Sequence, residues 1–66
     1  MRDFEKQKLH ATIEGIKYMQ KMEFDKYVIL NNIDSIIENL RVNASTDFIK
    51  CLFYIRQKVV LDKEIK

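Results

Sequence analysis

The sequence predicts an all-α fold: a small three-helix bundle, a helical hairpin plus a third helix, completed by homodimerisation. Three observations point there. The chain has no proline and a single glycine, Gly15, so it lacks the turn punctuation of β-hairpins. Its apolar residues recur at helical spacing through three stretches. Two of those stretches carry more apolar surface than one monomeric core can use.

The first helix is expected over 2–22. It carries two apolar stripes. Leu9, Ile13 and Ile16, with Met19 at the edge, form one. Phe4, Ala11, Tyr18 and Met22 form the other, with Gly15 between Ala11 and Tyr18. The second stripe advances in steps of seven, four, three and four, the pattern of a coiled-coil seam. The small residues Ala11 and Gly15 at its middle would let another helix approach closely.

A break is expected at 23–26. Asp25 is the candidate N-cap of the next helix, and Phe24 the candidate hydrophobic staple against Ile29. The second helix, over 26–40, has the cleanest amphipathic pattern. Ile29, Leu30, Ile33, Ile36, Ile37 and Leu40 fall on one face, and Asn31, Asn32, Asp34, Ser35, Glu38 and Asn39 on the other.

The turn at 41–46 is the strongest break. Asn43 is the candidate left-handed C-terminal cap. Ser45 or Thr46 is the candidate N-cap, with Asp47 well placed against the following helix dipole. The third helix is expected over 46–63. Phe48, Cys51, Leu52, Ile55 and Val59 form its main stripe. Ile49, Phe53 and Val60 form a second, interrupted by Arg56, and Tyr54, Leu61 and Ile65 a third. Such a helix is expected to be buried on most sides.

The dimer follows from this surplus. A chain of 66 residues buries only about 60% of the surface its unfolded form exposes. One cysteine, Cys51, excludes an internal disulfide, and Cys51 with His10 cannot assemble a structural zinc site. Self-association is the remaining support. The expected dimer interface is Phe4, Ala11, Gly15, Tyr18 and Met22 with Ile49, Phe53 and Val60, because a two-fold axis uses one patch twice. The competing occupants of that surface are an irregular monomer core and a different protein.

No catalytic site and no cofactor are expected. His10 and Glu14 stand one turn apart, but nothing near them in sequence completes a triad. Cys51 lies on the apolar stripe, and Lys50 is expected on another face, so an activated thiolate is not supported. Asp34 and Glu38 lack the Glu-x-x-His partners of a di-metal bundle. There is no glycine-rich phosphate loop, and no small-molecule substrate is expected.

Net charge is +2 with the signs interspersed, which gives no strong argument for nucleic acid or an anionic membrane. The N-terminus lacks the apolar core of a signal peptide. The expectation is a cytoplasmic, complete small protein, from a single domain over 1–66. Its expected role is a non-enzymatic regulator or inhibitor of phage or mobile-element type, which binds a partner protein through Tyr27, Asn31, Asp34, Glu38 and Arg41. The alternative is a small DNA-binding transcriptional regulator. Its basic stripe would draw on Lys17, Lys21, Arg56, Lys58 and Lys63, but its recognition helix would start with only Lys50 suited to base contacts.

Overall fold

The computed structural model describes residues 1–65 and consists of three helices: α1 (Asp3–Lys21), α2 (Lys26–Leu40) and α3 (Thr46–Val60). No strand occurs among the described residues.

Each helix begins where a side chain or backbone group can serve its free N–H groups. At α2 the Asp25 carboxylate accepts from the Tyr27 backbone N–H at 2.8 Å, as expected of an N-cap. At α1 the N-cap is Arg2, whose side chain has no acceptor. Glu5 instead reaches back to the Arg2 backbone N–H at 2.9 Å. Ser45 is the N-cap of α3, but its hydroxyl makes no capping bond; it is used elsewhere.

Two of the helices end in the same way, and neither end uses the residue type expected. Past α1, Glu23 adopts φ 59°. Its N–H bonds to the Gln20 carbonyl at 3.1 Å, and the Phe24 N–H bonds to the Met19 carbonyl at 2.9 Å. Past α3, Asp62 also adopts φ 59°, with Asp62 N–H on Val59 at 3.0 Å and Lys63 N–H on Lys58 at 2.8 Å. Both are Schellman caps, which satisfy the last carbonyls through one left-handed residue. Asn43, expected in that role, is not left-handed. The third helix therefore stops at Val60, not at residue 63.

A left-handed L-residue carries a steric cost that glycine does not. Glu23→Gly is expected to raise stability by about 1 kcal/mol, read as a higher urea midpoint at equal protein concentration. Asp62 is less suited to the same change, because it pairs with Lys26 at 3.2 Å.

The core follows the sequence pattern closely. Ile29, Leu30, Ile33 and Ile37 of α2 are buried with Phe48, Leu52, Ile55 and Val59 of α3 and with Ile16 of α1. Leu9, Ile13, Met19, Ile36 and Leu40 pack against them in half-buried positions. After the Asp62 turn the tail folds back, and Ile65 is buried in the same core. Gln20 holds the tail by accepting from the Ile65 N–H at 2.9 Å and donating to the Lys63 carbonyl at 3.0 Å. The α3 helix is buried on one side only, since Phe53, Tyr54 and Val60 are exposed.

One polar group sits at full depth. Glu5 is 1% exposed. Its carboxylate accepts from the Ser45 N–H at 2.7 Å, the Ser45 hydroxyl at 2.7 Å, the Arg2 N–H at 2.9 Å and the Arg2 Nε at 3.3 Å. Arg2 then donates through Nη2 to the Asn43 carbonyl. The start of α1 is thus tied to the α2–α3 turn. Burial pushes the Glu5 carboxyl up, but the hydrogen bonds from Ser45 and Arg2 outweigh it and hold the group at about 2, below the usual 4.5. The other buried polar residue, Thr12, donates to the Lys8 carbonyl at 2.8 Å.

Candidate interaction surfaces

The second stripe of α1 lies on the outside of the bundle. Phe4 is 57% exposed, Tyr18 58% and Met22 54%, and Ala11 and Gly15 are exposed between them. By helical geometry this stripe sits roughly 120° round α1 from its buried face. Among the described residues nothing beyond the neighbouring α1 backbone lies within 4 Å of where a Gly15 Cβ would be, so no described helix uses the close approach that Ala11 and Gly15 permit. Beyond Met22 the ring of Phe24 meets Tyr18 edge-on at 6.5 Å. Phe24 lines the same cavity as Ile29, at the end of the bundle, but its ring also extends the α1 stripe.

The surplus apolar residues of α3 face elsewhere. Arg56 Nε donates to Asp34 Oδ1 at 2.6 Å, and Nη2 reaches Oδ2 at 3.4 Å. Lys26 Nζ donates to the Val60 carbonyl at 3.3 Å. These bonds set one flank of α3 beside one flank of α2. On α2 that flank carries Tyr27, Asn31, Asp34, Glu38 and Arg41, which fall within an arc of about 80°. On α3 it carries Ile49, Phe53 and Val60. Phe53 is 52% and Val60 36% exposed, whereas Ile49 is half-buried and packs on the core.

The eight residues expected in one dimer patch therefore divide between two faces. The physical reason is the α1–α3 contact. Leu9 and Ile13 meet Cys51, Tyr54 and Ile55 along an open groove, on the side of α1 away from its outer stripe and the side of α3 away from Phe53 and Val60. Those two α3 residues join the five expected partner-binding residues of α2 instead. Asp34 differs from the other four, since its carboxylate is already committed to Arg56.

The α1–α3 groove encloses about 500 Å³ and is lined by Lys50 and Lys58 as well as Cys51. Lys50 was expected on a different face from Cys51; both line the same groove, Lys50 from its exposed edge. Lys58 Nζ lies 4.9 Å from the centroid of the Tyr54 ring. His10 is exposed and does not pair with Glu14, whose carboxylate meets Lys17 at 3.5 Å.

Two of the five basic residues of the alternative DNA stripe, Lys17 and Arg56, are held in ion pairs within the chain. Among the described residues no group of three or more His, Cys, Asp or Glu side chains is placed to hold a metal ion, and no helix is long and apolar enough to cross a membrane.

Sequence reading missed Glu5, the most connected side chain in the structure. Its local half was visible, since an acid at the third helical position can reach back to the N-cap. Its contact with Ser45, forty residues on, left no local signal. Comparisons with protein-family models, with curated proteins and with solved structures find no match to this chain.

Proposed function

We propose that this protein is a non-enzymatic helical interaction module, a regulator or inhibitor that works as a homodimer and occludes a surface of a partner protein. The observation that carries the reading is the outer stripe of α1. Phe4, Tyr18 and Met22 are each more than half exposed on a helix whose buried face already supplies its share of the core. Large apolar side chains exposed along one helix face mark a contact site in soluble proteins. A second copy covers it economically, because a two-fold contact uses the same patch on both chains.

With α1 occupied, the α2–α3 face stays open. Tyr27, Asn31, Glu38 and Arg41, beside Phe53 and Val60, mix aromatic, apolar and charged groups in the manner of a protein-binding surface with an apolar centre and polar rim.

The test is Tyr18→Lys. Removing a central aromatic from an interface costs about 2 kcal/mol or more, so self-association is expected to weaken by roughly thirtyfold while far-UV circular dichroism keeps its helical signal. Glu38→Lys, on the other face, is expected to leave self-association unchanged. Equal association constants for wild type and Tyr18→Lys would overturn the assignment of α1 as the dimer face.

A further inference from the structure

The outer face of α1 also carries the orientation in which a second copy would lie on it. This inference rests on the proposed dimer.

Adding Lys8 to the stripe gives Phe4, Lys8, Ala11, Gly15, Tyr18 and Met22, with steps of four, three, four, three and four, an unbroken heptad seam. Lys8 is exposed, and it makes no ion pair among the described residues. The same holds for Asp3 and Lys21 at the two ends of the helix. Among the described residues, three charges beside an uncovered apolar seam are thus left without an ion-pair partner.

The geometry points to an antiparallel pairing of α1 with α1 of a second copy, with the two-fold axis crossing the outer face at the level of residue 13. In that register Ala11 lies opposite Gly15 of the second copy, the small pair that permits close approach. Phe4 lies opposite Met22. Lys8 lies opposite Tyr18, where its ammonium meets the face of an aromatic ring. The chain makes contacts of that kind elsewhere, with Arg2 at 5.0 Å from the Phe4 centroid and Lys58 at 4.9 Å from that of Tyr54. Asp3 comes within a turn of Lys21 of the second copy, and the pairing occurs twice. The helix dipoles also oppose one another.

A parallel, in-register pair reverses each of these terms. It sets Lys8 against Lys8 in the seam, leaves Asp3 and Lys21 at opposite ends, and aligns the dipoles. Like charges across a contact oppose association.

Disulfide trapping separates the alternatives. Two variants are made in a Cys51→Ser background, Ala11→Cys and Gly15→Cys. Both positions are exposed, and a side chain at Gly15 meets nothing within 4 Å, so both variants are expected to fold. Each is oxidised alone and as an equimolar mixture. The antiparallel register brings position 11 to position 15 of the second copy, within the Cα separation of about 4.4–6.8 Å that a disulfide accepts. Positions 11 and 11 are then about 6 Å apart along the axis in addition to the lateral spacing. The expected result is a mixed disulfide in the mixture and little product from either variant alone. Efficient disulfides within each variant alone, with no mixed 11–15 disulfide in the mixture, would show a parallel pair and overturn the orientation while leaving the dimer intact. No disulfide in any sample, with the mass of a single chain in sedimentation, would overturn the dimer and the orientation with it.

Discussion

Phe48→Ala is expected to leave the chain largely unfolded at room temperature. Phe48 stands in the first turn of α3, is 1% exposed and belongs to the one core cluster that joins all three helices. Truncating a buried phenylalanine to alanine costs about 3–5 kcal/mol through lost transfer free energy and the cavity left behind. A domain of this length has a total stability of roughly 3–10 kcal/mol, so this single change consumes much or all of it. The core is small, and the chain has no disulfide to hold the helices while they repack. Far-UV circular dichroism reads the effect directly as lost helical signal. A variant with wild-type helicity and an unchanged urea midpoint would mean that Phe48 is not a central packing residue.

The second large effect is expected at Glu5, and it depends on pH. Glu5→Gln removes the charge that Ser45 and Arg2 converge on, and it puts an amide N–H₂ where one carboxylate oxygen accepted. The Ser45 N–H, the Ser45 hydroxyl and the Arg2 donors then compete for fewer acceptors in a buried setting, where an unmet donor is costly. The sign of the pH dependence follows from the lowered pKa. The folded chain holds the Glu5 carboxyl at about 2, and the usual value is 4.5. The carboxylate is thus favoured by folding, and its contribution is complete above 4.5. It is lost progressively as pH falls from there towards 2, because the unfolded chain takes up the proton first. Wild type is therefore expected to exceed Glu5→Gln in urea midpoint at neutral pH, with the gap closing between pH 4.5 and 2. A gap of constant size over that range would mean that Glu5 ionisation does not contribute to the stability of the fold.

The contrast between these two residues shows what the sequence made legible. Phe48 was readable because a core helix repeats its apolar positions every three or four residues, and the same rule found the α2 face from Ile29 to Leu40. Asp25 was readable as a cap because its hydrogen bond is local. Glu5, the Asp34–Arg56 pair and the seat of Ile65 were not, since each joins segments distant in the chain and depends on how the helices come together. The end of the third helix and the identity of the left-handed caps were misread for a different reason. Composition suggests glycine or asparagine for a left-handed cap, so Asn43 drew that assignment after α2, but the left-handed residues are Glu23 after α1 and Asp62 after α3. Tertiary contacts favour the Asp62 turn: Lys26 binds Asp62, and Gln20 holds the tail beyond it.

The interaction surfaces were legible in part. Both surplus stripes, on α1 and α3, do lie outside the core, with Ile49 the exception. Their grouping was not legible, because periodicity assigns a residue to a face of its own helix and says nothing about which faces of two helices adjoin. The Asp34–Arg56 and Lys26–Val60 contacts supply that information and join Phe53 and Val60 to the polar flank of α2.

Sedimentation equilibrium of the wild-type chain over a range of concentrations tests the central claim, that the outer face of α1 joins two copies. The expected result is a concentration-dependent mass that reaches twice the 8.0 kDa of the chain and stops there. A mass of one chain at every concentration, with the helices intact by circular dichroism, would contradict it.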